Sequence, residues 1–470
     1  MKKNERHYIK TIPLRVLKVL HYLICIGLFV LCGFLFYRGL YPAGEEFRAL
    51  LVNSVAYIVL FYLMLRTYNG YYVGYDRIVD LVYSQGLAQF ITALIIYAGN
   101  CIIRLRFLNP LGLLALVVAE IVLDVLWCYA SNKLYFAINK PKRTVIIYRN
   151  ENDLARLSEI KSYDKKFTVE KYIEDPADDY ESLYRELDGF EAVFVVGVNA
   201  TLRNAIVKYC TDTGVHGYFA PHVGDIVMAG APHVQAFGVP IVSVRRARLD
   251  PEYYIIKRCF DIFASLLGII ISSPFMLVVA LCIKLYDGGP VLYKQTRLTK
   301  NAKQFRIWKF RSMRVDAEKD GIARLAKDHD DRITPVGKII RACRLDELPQ
   351  LFNILSGDMS IVGPRPERPE IAAQYEEIMP AFSLRLQVKA GLTGYAQIYG
   401  KYNTAPYDKL QMDLMYINNM SPIEDLKLMF ATIRILFMKE STSGVDANQV
   451  IALRPQEKTE AETEKEPLNV

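Results

Sequence analysis

"FDIFASLLGIIISSPFMLVVALCIK", residues 260–284, decides how the chain is laid out, because everything after it lies on one side of a membrane or the other. From Ile262 to Ile283 the run is apolar and, at about 33 Å as a straight helix, long enough to cross a bilayer. Its flanks oppose crossing. Arg245, Arg246, Arg248, Lys257 and Arg258 precede it, and residues 284–314 hold nine lysines and arginines against one acid, Asp287. Both flanks therefore favour the cytoplasm. Pro274 lacks the N–H that a helix interior needs and favours a kink. Ser272 and Ser273 carry hydroxyls that can satisfy carbonyls freed there. The expectation is a re-entrant helix that enters and returns at a Ser273–Pro274 break, with Lys257 and Arg258 anchored among the headgroups.

Upstream, four apolar stretches at about 16–37, 47–65, 83–103 and 108–129 are each near the ~20 residues a helix needs to span. The basic "MKKNERHYIKTIPLR" precedes the first, and the basic "SNKLYFAINKPKR" follows the fourth. Both ends of this block are expected in the cytoplasm. The first run is long and has no small-residue cleavage site, so it reads as a span rather than a cleaved signal. Gln85, Gln89 and Asn100 in the third stretch read as helix–helix hydrogen bonding. Hydrophobic residues make up 52% of the 470, which fits a membrane protein. The net charge of +8 points to anionic partners. Because the basic residues gather beside a membrane segment, lipid and phosphate are expected rather than nucleic acid. The eight cysteines form no CxxC pair and read as reduced, mostly buried thiols.

Residues 1–140 are therefore expected to be a four-helix transmembrane domain. Residues 141–248 read differently: "RTVIIY", "EAVFVVGV", "VHGYFAP" and "VPIVSV" are short apolar strands, and "NATLRNAIVKYCTDTG" is helical. That alternation predicts a small parallel, Rossmann-like α/β domain. "RNENDLARL" follows the first strand where a dinucleotide fingerprint would need glycines, so a scaffold or regulatory module is expected. Residues 249–450 would form the catalytic domain, and 451–470 a charged, disordered tail.

The chemistry lies in 285–450. "PVLYKQ" and "QFRIWKF" predict two strands joined by the basic "TRLTKNAK". "TPVGKIIRACR" predicts a helix with Thr334 as N-cap and Pro335 first. "LDELPQLFNILSG" predicts another, capped by Asp346 and ended by Gly357. At a helix start Asp346 and Glu347 can face one site, with Arg341 and Arg344 just upstream. An anionic nucleophile among cations suits attack on a phosphoryl group. In "MSIVGPRPERPE", Pro364 and Pro366 hold Arg365 in stiff, extended backbone, which suits a guanidinium that forks onto phosphate.

"KRCFDIFAS…SSPF", "KFRSM", "RLDELPQLFNILSGDMSIVGPRP" and "GLTGYAQIYG" occur in this order. Over residues 253–440 the chain resembles the bacterial polyprenyl-phosphate hexose-1-phosphate transferases, the monotopic phosphoglycosyl transferases, and its four spans plus α/β domain resemble their large subgroup. The resemblance implies transfer of a sugar-1-phosphate from a UDP-sugar to undecaprenyl phosphate, with UMP leaving, to start a capsule, exopolysaccharide or O-antigen unit. It implies Asp346 as covalent nucleophile beside Glu347, and Mg2+ held by the substrate diphosphate and this dyad. It implies phosphate and nucleotide contacts from Lys309, Arg341 and Arg365, and Arg311 of "WKFRSM" is expected to bind substrate with them. The setting implied is the bacterial inner membrane with the site on its cytoplasmic face. A homodimer contact or regulation is the expected role of residues 141–248. Three features depart from the family pattern: "RLTKNAKQF" has no glycine after its arginine, Ala390 replaces a proline, and Tyr395 stands where tryptophan is frequent.

Two other readings compete. A membrane-tethered oxidoreductase acting on nucleotide sugars would need the missing glycine turn. A non-enzymatic scaffold or regulator of polysaccharide assembly would leave the Asp-Glu, arginine and Pro-Arg-Pro motifs without work.

Overall fold

A computed structural model describes residues 2–38, 44–74, 77–157, 160, 163–174, 180–236, 239–246, 251–317, 330–400 and 404–436. The expected tail at 451–470 lies outside them. The chain divides into two compact units, Met1–Pro221 and His222–Val470.

The first unit begins with four apolar helices, α1 (Lys2–Tyr37), α2 (Glu46–Thr67), α3 (Ile78–Ile103) and α4 (Leu111–Ile138). All are long and apolar enough to cross a bilayer. Three outlast their apolar runs, α1 by starting at Lys2. α3 starts at Ile78, and α4 continues through "SNKLYFAI", the start of the basic flank, because no breaker occurs before Asn139 and Pro141. The polar residues do join elements: Gln85 Nε2 donates to Gly70 O at 2.7 Å, and Asn100 Nδ2 to Asn53 Oδ1 at 3.2 Å.

The α/β region follows with β1 (Lys142–Tyr148), α5 (Glu151–Arg156), β2 (Phe167–Glu174), α6 (Tyr180–Leu187), β3 (Ala192–Val196), α7 (Ala200–Thr213) and β4 (His216–Phe219). The strands form one parallel sheet in the order β2-β1-β3-β4. Both faces of β1 are buried. Val145 and Ile147 pack with Leu183 and Ile206, and Ile146 packs beneath Leu154. Such double burial is why "TVIIY" carries no polar alternation. β2 was not foreseen, since "FTVEKYIE" alternates with charged residues as an edge strand does. Asn150 caps α5 by accepting from the Asp153 amide at 2.9 Å, so the turn after β1 is an Asx cap rather than a glycine loop.

"VPIVSV" does not extend this sheet, contrary to expectation. In the second unit, after α8 (Val223–Ala229), β5 (His233–Ala236) pairs antiparallel with β6 (Val239–Val242). Pro240 lies in β6, and such a strand suits a short two-stranded ribbon better than a sheet interior.

α9 (Pro251–Asp287) is one helix of 37 residues. The expected interruption at Ser273–Pro274 is absent. Pro274 cannot donate to Ile270 O, and Ser273 Oγ does so instead at 2.9 Å, while Ser272 Oγ bonds Gly268 O at 2.6 Å. Then come the hairpin β7 (Leu292–Leu298) and β8 (Gln304–Phe310), α10 (Pro335–Ala342), a 3-10 turn at Leu345–Glu347, and α11 (Gln350–Ser356). β9 (Ser360–Val362), α12 (Pro369–Ile378), β10 (Gly391–Thr393), α13 (Tyr395–Ile398), α14 (Pro406–Asn418) and α15 (Pro422–Leu436) complete the unit. β9 and β10 are parallel, and their core holds Ile354, Met359, Val362, Leu410 and Leu414.

Two of the family departures fall where the backbone is constrained, in the loop after Arg297 and at Ala390. Asn301 and Ala302 both adopt left-handed backbone, with φ of 59° and 57°. Asn301 tolerates this and accepts from Arg246 Nη2 at 2.7 Å, but the Cβ of Ala302 does not. Ala302→Gly is expected to stabilise the chain by about 1 kcal/mol, read as a rise in thermal midpoint. Ala390 N donates to Thr299 Oγ1 at 3.1 Å, a bond that proline would forbid.

Candidate active site

Lys309 reaches the site from β8, where it shares the strand face of the buried Phe305 and Ile307. Asn353 of α11 ties that strand to the carboxylates. Its side chain accepts from Trp308 N and donates to Arg306 O, both at 2.9 Å, and so occupies the free edge of the hairpin. Leu345 and Leu348, on either side of the Asp-Glu pair, pack on Val279, Ile283, Phe310 and Ile340.

Asp346 is not a helix cap. Pro349 fixes φ and lacks an N–H, so α11 starts after it, and Asp346 and Glu347 sit in the preceding 3-10 turn. Arg344 enters that turn with left-handed backbone, φ 52°. Gly357 ends α11 at φ 93°, and Thr334 caps α10 by accepting from Gly337 N at 2.9 Å, both as the sequence predicts.

Glu347 is the hub. Its Oε1 accepts from Lys309 Nζ at 2.8 Å and Arg365 Nη2 at 3.1 Å, and Arg344 Nη1 stands 3.8 Å from Oε2. Burial opposes ionisation of Glu347, but Lys309, Arg365 and Arg344 outweigh it and hold its carboxyl well below the usual range. Asp346 is its opposite. Burial first, then the Glu347 charge, pushes its carboxyl up to about 6, against Lys309, Arg341 and Arg365. Asp346 makes no hydrogen bond or ion pair among the described residues. Arg365 keeps 43% of its side chain exposed, so it can meet an arriving anion while touching Glu347.

The main chain around Arg365 is pinned at four consecutive carbonyls. Pro364 O accepts from Gly391 N (2.8 Å), Arg365 O from Arg385 Nη2 (2.8 Å), Pro366 O from Arg297 Nη1 (3.1 Å) and Glu367 O from Leu298 N (2.9 Å). Gly391 lets the first approach happen, since a Cβ there would lie 2.1 Å from Gly363 N. Arg385 is itself held by Asp413 Oδ2 at 2.7 Å, and both are buried. Sequence reading missed this pair, although an Arg in "FSLRLQ" and an Asp in "LQMDLMYIN", each inside an apolar run, are its signal. Arg385→Met is expected to cost about 3–5 kcal/mol, because it leaves Asp413 buried and unpaired, and adding Asp413→Leu should restore most of it. Chemical denaturation of the three variants checks both parts.

The other expected contacts go elsewhere. Arg311 turns away from the carboxylates to pair with Asp287 at the end of α9. Lys257 and Arg258 do not reach outward as headgroup anchors. Lys257 Nζ bonds Asp425 Oδ2 at 2.8 Å and Tyr416 OH at 3.1 Å. Arg258 donates to the last carbonyls of α11, Ile354 O at 2.7 Å and Leu355 O at 2.9 Å. Helix-terminal carbonyls and a buried carboxylate hold these cations inside the protein.

The bacterial sugar transferase family model matches residues 252–439, which contain all of this. The chain is 44% identical over 190 residues to the UDP-N-acetylgalactosamine-undecaprenyl-phosphate N-acetylgalactosaminephosphotransferase of Aeromonas hydrophila, covering 40% of this chain and 45% of that one. It is 37% identical over 241 residues to the UDP-glucose:undecaprenyl-phosphate glucose-1-phosphate transferase of Klebsiella pneumoniae, covering 50% and 52%. It therefore spans about half the length of these two relatives. With the exopolysaccharide production protein PSS of Rhizobium leguminosarum bv. phaseoli it shares 43% identity over 190 residues, 38% of this chain but 94% of that one. A match across nearly the whole of a relative, over the segment that builds the Asp346–Glu347 site, shows that the chain belongs to the bacterial sugar transferase family.

Proposed function

We propose that the chain transfers a sugar-1-phosphate from a UDP-sugar to undecaprenyl phosphate at the cytoplasmic face of a bacterial inner membrane, the first step of a capsule, exopolysaccharide or O-antigen unit. The observation that carries this reading is the division of labour in the carboxylate pair. Glu347 is saturated by three cations, and its neighbour Asp346 is open. The names of the relatives supply the substrate classes.

Asp346 attacks the phosphorus that bears the sugar, and the bond to the UMP phosphate breaks with its electron pair leaving on UMP. The product is a sugar phosphate esterified to the Asp346 carboxyl. An oxygen of undecaprenyl phosphate then attacks the same phosphorus, the Asp346 carboxylate departs, and the lipid diphosphate sugar forms. The two displacements share one site, which gives ping-pong kinetics. Glu347 aims Lys309 and Arg365 and keeps them from repelling each other. Those two cations, with Arg341, balance the charge that grows on the transferring phosphoryl group. Mg2+ fits the open carboxylate of Asp346, which would hold it together with the diphosphate of the donor. Both oxygens of Glu347 already face cations, so its part is holding cations rather than metal. When bound, the ion would neutralise diphosphate charge.

The reading that α9 enters the membrane and returns, now by a bend at Pro274 within one continuous helix rather than by a break, rests on what it packs against. Its first half bonds α11 and α15 and holds Ser360 Oγ at 3.0 Å through Asp261, and Gly268 lies beneath Leu351. In its second half, Val279 and Ile283 pack on Phe310 and Ile340. A helix of roughly 55 Å that crossed fully would drag this polar body into hydrocarbon. The opposite side exposes Phe263, Leu266, Ile270, Leu277 and Leu281, an apolar surface suited to lipid. Cysteines placed at the exposed Glu252 and Lys294, with native cysteines replaced, should both resist an impermeant thiol reagent in intact cells and react after permeabilisation. One residue labelled from each side would mean a true span.

UMP release, screened across UDP-sugars with undecaprenyl phosphate, tests the activity. Release with one or a few sugars is expected, and none with any would sink the proposal.

A further inference from the structure

The four-helix bundle contains a polar cluster that sugar-phosphate transfer does not use. His21 and Cys25 lie one turn apart on α1, Asp124 faces them from α4, and Gln89 completes the group from α3. All four are buried. His21 Nε2 is 3.0 Å from Asp124 Oδ1, and Cys25 Sγ is 3.8 Å from His21 Nε2. One atom each from His21, Cys25 and Asp124 lie within 4.8 Å of one another.

We propose that His21, Cys25 and Asp124 bind a divalent transition-metal ion of the zinc class inside the bundle. Tetrahedral zinc sets its ligand atoms about 3.3–3.8 Å apart, given bonds of about 2.0–2.3 Å, and the cluster needs only small side-chain shifts to meet that. Imidazole, thiolate and carboxylate are the zinc set, and the sulfur disfavours magnesium and calcium. Neighbouring side chains hold the ligand atoms in place. Tyr71 OH is 2.9 Å from His21 Nδ1, which fixes the ring and leaves Nε2 facing the cluster. Gln89 Nε2 donates to both Asp124 Oδ1, at 3.0 Å, and Cys25 Sγ, at 3.4 Å, as it would to two anionic ligands.

Two further facts favour an ion. Asp124 Oδ2 is buried and has no hydrogen-bond partner among the described residues, a costly state at membrane depth. A fourth metal position would use it. Charge also closes: one thiolate and one carboxylate cancel a divalent ion, leaving no net charge in the apolar bundle. The ion would fasten α1 to α4.

The test uses the full chain purified in detergent without a metal-binding tag. Elemental analysis should find about one zinc per chain, and cobalt exchange should give a thiolate-to-cobalt charge-transfer band in the near ultraviolet. Cys25→Ser should abolish the band, and Asp124→Asn and His21→Ala should lose the metal. The wild-type chain decides alone if a variant fails to fold. Failure to take up zinc or cobalt at stoichiometry would overturn the site and leave a hydrogen-bonded His21–Asp124 pair, and so would a band that survives Cys25→Ser.

Discussion

Asp346→Asn is expected to abolish turnover, by about 10⁴-fold or more, since the amide cannot form the acyl phosphate on which both half-reactions of the proposed mechanism depend. Intact mass should show a sugar-phosphate adduct on the wild-type chain with donor alone, and none on the variant. Substantial activity in Asp346→Asn would remove Asp346 as nucleophile. The same change should raise stability near neutral pH. The carboxyl of Asp346 is pushed up to about 6 in the folded chain, above its value of roughly 4 when unfolded. The folded state therefore binds more protons between those values, and stability falls as pH rises through that window. Asparagine escapes the penalty. A variant that is dead and melts higher marks strain kept for chemistry. Wild-type activity should in turn fall as pH drops below 6, as the nucleophile takes up its proton.

Glu347→Gln should lower turnover by about 10³-fold, because the amide cannot hold Lys309, Arg365 and Arg344 as the carboxylate does. Its stability effect has the other sign. The carboxyl of Glu347 is depressed in the folded chain, so it stabilises above its unfolded value and that contribution is lost as pH falls. Glutamine should melt lower at neutral pH, with the gap narrowing in acid. If Asp346→Asn and Glu347→Gln shift the thermal midpoint in the same direction, the opposed electrostatics are wrong.

How much of this was legible depended on range. The hairpin of β7 and β8, the Thr334 cap and the Gly357 stop are local events, settled by residues a few positions apart. The Asp-Glu pair was visible through its company, the arginines upstream and the Pro-Arg-Pro run downstream, since Glu174-Asp175-Pro176 also sets adjacent acids before a proline. The roles of Lys257 and Arg258 were misread because their partners, Asp425 and the carbonyls of α11, are far along the chain. A basic flank looks the same whether it faces headgroups or a distant carboxylate. Arg385 and Asp413 were missed for the same reason, as was Asn353, whose side chain replaces a strand partner. Asp346 lost its capping role to Pro349, three residues on, whose ring fixed where the helix could begin.

The four carbonyls from Pro364 to Glu367 are held by donors at Gly391, Arg385, Arg297 and Leu298, drawn from three distant stretches of chain. No single local opening can release them, so this arm should live as long as the folded domain itself. The backbone that carries Arg365 is thus a fixed wall and not a flap. Under the proposed reaction, Arg365 would answer a change of ligand by turning its side chain on that wall, at the speed of a rotamer, rather than by moving its backbone.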